Sequence, residues 1–128
     1  MTIVGVGLDL VQIARVQSIA ERWHDRFLSR VYTDRERADC LTRVSPYASL
    51  AGRFAVKEAI LKALGTGWSG GVSWRDIEVT RTSDGRPIAA TSGRVRELMQ
   101  AAGVRGIHIS LSHDAEYAVG QAILTGPQ

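Results

Sequence analysis

At 128 residues, with 45% hydrophobic and 23% charged residues, the chain has the size and composition of one globular domain, which excludes disorder as a whole-chain state. No apolar run approaches the roughly 20 residues that cross a bilayer, the N-terminus has no positive region ahead of its apolar stretch, and the lone Cys40 can build neither an internal disulfide nor a cysteine zinc site, so a cytoplasmic protein without a membrane segment is expected. The net charge of +3 suits an acidic protein, a nucleic acid or a phosphate-rich small molecule, but no zinc-finger spacing, RNP-like strand or dense Lys/Arg block is present, so nucleic acid is not an expected partner.

Thr2 to Leu10 alternates and is rich in Ile and Val, with Gly5 and Gly7 leaving room for close backbone approach, and reads as a strand. Asp9 falls at or near its end, where a carboxylate serves either as the N-cap of the next helix or as a ligand. The following V-Q-I-A-R-V-Q-S-I-A-E-R-W reads as a helix. If that helix continues, Val16, Ala20, Trp23, Phe27 and Val31 lie within a sector of about 80° and form the buried face. Arg15, Arg22, Arg26 and Arg30 then cluster on a flanking sector, as a solvated face or as a docking surface for an acidic partner, since guanidinium groups bind carboxylates bidentately.

Thr33-Asp34-Arg35-Glu36 is a capping-box pattern that opens a short structural helix, and Ser45-Pro46 breaks it. The central helix is expected to begin near Ala48 and runs through Arg53-Phe54-Ala55-Val56-Lys57-Glu58-Ala59 to a stop at Gly65-Thr66-Gly67. Phe54, Glu58, Leu61, Lys62 and Gly65 share one face at spacings of three and four. Glu58 and Lys62 are thus either a surface i,i+4 pair or a functional carboxylate and ammonium. Gly65 to Ser73 holds four glycines and reads as a flexible surface loop whose own N–H groups could meet a phosphate.

Asp76 to Thr82, the turn Ser83 to Pro87 and the return P-I-A-A-T form a hairpin. Ser92 to Gly103, with Val95, Leu98, Met99 and Ala102 on one face, is a packing helix. Ile107, Ile109 and Leu111 alternate with polar residues, and Y-A-V-G-Q-A-I-L completes a second hairpin. The whole reads as a single α+β domain, residues 1–128, with an antiparallel sheet and packed helices.

Three segments, Gly7-Leu8-Asp9, the central Phe54-Ala55-Val56-Lys57-Glu58-Ala59 and the late Leu111-Ser112-His113, resemble in order and separation the opening G-x-D, the F-x-x-K-E-A helix and the L-S-H of the discrete holo-acyl-carrier-protein synthases, the small bacterial phosphopantetheinyl transferases. The resemblance implies that fold in one copy of the unit. It also implies Mg2+-dependent transfer of 4′-phosphopantetheine from coenzyme A to a serine of apo acyl carrier protein, leaving adenosine 3′,5′-bisphosphate. Asp9 and Glu58 would be the metal ligands, and Asp9, Glu58 and Lys62 the catalytic group. Lys62 would steady the leaving group, and Arg53, Lys57 and Gly65 would contact coenzyme A. His113, otherwise a polar turn residue, would hold the nucleotide end, across a subunit boundary. The proton of the carrier serine would pass to Glu58 or to a metal-bound water.

Arg15 matches the arginine with which the family docks its acidic carrier, and Arg22 and Arg26 extend that surface. Longer relatives duplicate this unit, whereas no internal repeat is visible here, so the chain resembles the members that assemble as homotrimers with interfacial sites. No covalent nucleophile is indicated: Ser112 and His113 are adjacent on a strand and point to opposite faces, and no G-x-S-x-G elbow accompanies them. The alternatives are a non-enzymatic basic module that binds an acidic protein or nucleic acid, and a nucleotide hydrolase built on the same carboxylates.

Overall fold

The computed structural model describes all residues, Met1–Gln128. Its order is β1 (Thr2–Gln12), α1 (Ile13–Trp23), α2 (Asp25–Val31), α3 (Asp34–Leu41), α4 (Pro46–Leu64), a 3-10 turn (Trp74–Asp76), β2 (Ile77–Arg81), β3 (Pro87–Thr91), α5 (Gly93–Ala101), β4 (Gly106–His113) and β5 (Tyr117–Gly126). The α+β reading holds, but the strands form two antiparallel sheets, β1-β5-β4 and the separate hairpin β2-β3. No helix is long and apolar enough to cross a membrane.

Helix α4 is the axis of the molecule. Leu50, Ala51, Ala55, Val56, Ala59, Ile60 and Leu61 are all buried, so it is covered on most of its circumference. It lies directly on the three-stranded sheet because Gly5 and Gly7 of β1 present no side chain to it. A Cβ at either position would overlap the carbonyl oxygen of Ala63 or Ala59. The helix starts earlier than expected, with Pro46 in its first turn, where the missing N–H costs nothing. It ends at Gly65, whose φ of 83° is the left-handed cap the sequence calls for.

Two expectations about the N-terminal third are corrected. Strand β1 runs on to Gln12, which is the residue before α1, so Asp9 sits inside the strand and does not cap the helix. The helix that follows is also not continuous. His24, at φ 46° and ψ −124°, breaks it into α1 and α2. Val16, Ala20 and Val31 are buried as expected and Phe27 is half-buried, but Trp23 falls at the break and stays 44% exposed.

The capping box at Thr33 forms as read: its hydroxyl accepts from Glu36 N, and the Glu36 carboxylate accepts from Thr33 N. The Glu36 side chain is wholly buried. It also accepts from Val79 N at 2.8 Å and from Lys57 Nζ at 2.7 Å, which ties α3, β2 and α4 together.

Candidate functional site

Strand β1 and helix α4 together carry the carboxylates. Gly7 lets the strand approach α4, and Asp9, two residues on, faces the same side as Gly7 by the strand's period of two. From α4, Glu58 projects one turn before Lys62. Asp9 and Glu58 line one cleft of about 500 Å³, together with Phe54, Arg15, Ile19 and Phe27.

Of the two readings of Glu58 and Lys62, the surface i,i+4 pair does not form. Lys62 Nζ donates to Asp9 Oδ1 at 2.8 Å and to Leu8 O at 3.1 Å, and this hydrogen bond to Asp9 raises the lysine above its ordinary value. Glu58 Oε1 instead accepts from the indole N–H of Trp68 at 3.1 Å. Neither Asp9 Oδ2 nor Glu58 Oε2 has a hydrogen-bond partner in the chain, so each carboxylate offers one free oxygen. Leu61, on the same helical face by spacing, is a core residue.

No third His, Cys, Asp or Glu joins the two carboxylates. Two hard oxygen donors opening on one cleft still fit a magnesium ion, which prefers one or two carboxylates and fills its remaining positions with water and phosphate oxygens. A zinc site of nitrogen and sulfur ligands does not fit this donor set.

Trp68 was hidden in the sequence by its setting, a glycine-rich stretch read as a mobile surface loop. Gly65, Gly67, Gly70 and Gly71 all take positive φ, and the turn they make folds Trp68 back onto the core. There it packs on Trp74, which stacks on Phe54 with ring centroids 4.7 Å apart. The available signal was the pair of tryptophans, one among the glycines and one just after them, since rings of that size are seldom left in solvent.

Arg53 and Lys57 depart from their expected roles as phosphate contacts. Lys57 is fully buried; besides Glu36 it donates to Val31 O at 2.6 Å and Trp74 O at 3.1 Å, and burial pulls the ammonium below its ordinary value. It is a core residue that no phosphate reaches. The guanidinium of Arg53 is only 3% exposed and is committed to Val79 O at 2.9 Å, Ser49 Oγ at 2.9 Å, Cys40 and Asp39.

Even so, Arg53 walls a second cavity of about 590 Å³, with Arg43, Arg81 and Ser49, and His113 at the end of β4 lines the same space. Arg43 and Arg81 were missed in the sequence, because three arginines spread over forty residues show no pattern until the hairpin β2-β3 packs beside α3 and α4. This cavity shares no lining residue with the carboxylate cleft. One chain therefore brings Asp9, Glu58 and Lys62 together on one side, and Arg53 with His113 on another. Gly65 stays with the first group, one turn past Lys62, with open space where a Cβ would be.

Arg15, Arg22 and Arg26 are all exposed. Arg15 lines the carboxylate cleft itself. The guanidinium groups of Arg22 and Arg26 sit over the Trp23 ring at 5.2 and 5.5 Å from its centroid, a cation–π arrangement. Ile19 and Phe27 line both the carboxylate cleft and the neighbouring groove that holds Trp23, Arg26 and Arg30. The basic surface therefore runs into the cleft without interruption.

A family profile described as the 4′-phosphopantetheinyl transferase superfamily matches residues 5–122. The holo-acyl-carrier-protein synthase of Koribacter versatilis is 43% identical over 95% of this chain and 98% of its own. That of Moorella thermoacetica is 48% identical over 92% and 91%. The crystal structure of the Helicobacter pylori synthase in complex with coenzyme A superposes with a TM-score of 0.83 at 31% identity, covering 94% of this chain and 99% of that one.

Proposed function

This chain belongs to the 4′-phosphopantetheinyl transferase superfamily, and we propose that it moves 4′-phosphopantetheine from coenzyme A to a serine of apo acyl carrier protein. The observation that supports this reading most is that Asp9 and Glu58 open on one cleft that adjoins an arginine-lined groove, with Lys62 bonded to Asp9. The serine Oγ forms a bond to the pantetheine-side phosphorus of the pyrophosphate. The bond from that phosphorus to the bridging oxygen breaks, and adenosine 3′,5′-bisphosphate leaves with the electron pair.

The carboxylates of Asp9 and Glu58 would hold a magnesium ion, which when bound orients the phosphates and offsets their charge. Lys62, an ammonium with three donors, would keep its bond to Asp9 and turn a remaining N–H toward the leaving phosphate to steady it. The serine proton would pass to the Glu58 carboxylate or to a water held at the metal. The Gly65 turn leaves room for the pyrophosphate next to Lys62.

Arg15 in the cleft, Arg26 along the groove and Arg22 over the Trp23 ring form the docking surface for the acidic carrier. His113, with Arg43, Arg53 and Arg81 in the wall around it, would receive the nucleotide end of coenzyme A. Because that cavity and the carboxylate cleft are separate within one chain, they are read as two halves of a site completed between subunits. A homotrimer supplies such a junction. Its interface is the outer face of β1, where Val6, Leu8 and Leu10 are 57%, 60% and 64% exposed. That is an apolar row no element of this chain covers. A cytoplasmic setting, where coenzyme A and its carrier meet, completes the reading.

Incubating the protein with coenzyme A, Mg2+ and an apo carrier tests it. The carrier serine should gain the mass of one phosphopantetheine group. Coenzyme A cleaved without carrier would select a hydrolase, and carrier bound without any mass gain would select a binding module.

A further inference from the structure

The indole N–H of Trp68 reaches Glu58 from outside the helix that carries it, and nothing in the transfer described above requires that contact. We propose that Trp68 is a positioning residue for the transfer: by holding Oε1 of Glu58 it leaves Oε2 as the oxygen that faces the metal and the reacting phosphate. This rests on the reading of Glu58 given above.

Several features converge on this role. A glutamate side chain on a helix has three rotatable bonds, and within α4 nothing fixes the carboxyl group of Glu58, since Lys62 turns away to Asp9. Trp68 supplies the missing constraint. It is itself held, because its ring packs on Trp74, Trp74 stacks on Phe54, and the Trp74 carbonyl accepts from the buried Lys57 ammonium. The four positive-φ glycines around it make the tight return that brings the ring back over α4. Asp9 is treated in the same way by Lys62, so that in both carboxylates one oxygen is taken by a donor and one is free. Donors that fix the second oxygen of a ligand carboxylate set its direction and its share of the ion.

The test is Trp68→Phe, which keeps an aromatic ring in the column and removes only the N–H. Replacing Trp68 by 3-benzothienylalanine, bicyclic but without the donor, covers the case in which phenylalanine packs poorly. Mn2+ binding in the presence of coenzyme A, read from the paramagnetic resonance of the free ion, should weaken about ten-fold in both variants, and kcat should fall by a similar factor. KM for coenzyme A and carrier at saturating metal should stay within about two-fold of the parent. In a Glu58→Gln background the Trp68→Phe effect should vanish, because the two residues act through one contact.

Parental Mn2+ affinity and kcat in the benzothienyl variant would overturn the proposal, and so would a Trp68→Phe effect that persists undiminished without the Glu58 carboxylate. Failure of the underlying reading has a different signature: Glu58→Gln alone would then leave Mn2+ binding and transfer at parental levels.

Discussion

Lys62 Nζ lies 2.8 Å from Asp9 Oδ1, so the cation that follows Glu58 by one helical turn is held by strand β1 and not by Glu58. A metal entering the cleft therefore meets a carboxylate already paired. Asp9→Asn and Glu58→Gln each remove one anionic ligand oxygen while keeping shape, and each should raise the Mg2+ concentration for half-maximal activity and lower turnover by about 10²-fold. Melting temperature should change little. Parental activity at low Mg2+ in both variants would remove the pair from the metal site.

The pair Lys57–Glu36 belongs to stability. Both side chains are fully buried, so Lys57→Met leaves the Glu36 carboxylate in the core without its cation and should cost about 3–5 kcal/mol in a denaturant titration. Adding Glu36→Gln removes the stranded charge and should restore part of the loss. Among folded molecules KM for coenzyme A should be unchanged, in contrast to what a phosphate-contacting lysine would give.

Acid sensitivity should trace in part to Asp39. Burial pushes its carboxyl up, but hydrogen bonds from Arg53 and Arg43 outweigh this and hold it below the ordinary aspartate value. A carboxylate whose pKa is depressed on folding stabilises at pH above its unfolded value, and that contribution is lost as pH falls through the folded value. Asp39→Asn should therefore lower stability at pH 7, and the gap to the parent should close below about pH 4. A gap that stayed constant from pH 7 to pH 3 would contradict this.

A charge reversal at Arg15 should separate docking from cofactor binding. With its side chain at the cleft rim, Arg15→Glu should raise KM for an acidic carrier about ten-fold by slowing association, and raised salt should weaken carrier binding in the parent through screening over about 8–10 Å. KM for coenzyme A should barely move. Equal effects on both substrates, or none on either, would mean that the arginine row only solvates α1.

Most of the architecture was legible because it is local: alternation marked the strands, the capping box and Gly65 marked helix ends, and G-x-D with F-x-x-K-E-A marked the carboxylate cleft. What escaped was set by tertiary packing. Lys57 and Arg53 look like free cations in a helix of good formers, and only burial against Glu36 and Asp39 shows them committed inward. The break at His24 carries no Gly or Pro signal, so continuous periodicity placed Trp23 in the core, where the structure leaves it exposed under two arginines. Trp68 was misplaced for the reverse reason, since the glycines that suggest mobility are the ones that fold it back. The separation of His113 from Glu58 also depends on which side of α4 each neighbour packs, which a linear motif does not record.

If the carboxylate cleft of one subunit and the His113 cavity of another make one site, two variants that are inactive for different reasons should complement each other. Glu58→Gln and His113→Ala, each with little activity alone, are unfolded together and refolded as a mixture. In a ring of heterologous interfaces, random assembly pairs an intact cleft with an intact neighbouring cavity at about one junction in four, so transfer to the carrier should recover to about a quarter of the parent. A mixture no more active than its two components, in particles that sediment as mixed trimers or as monomers, would contradict the account.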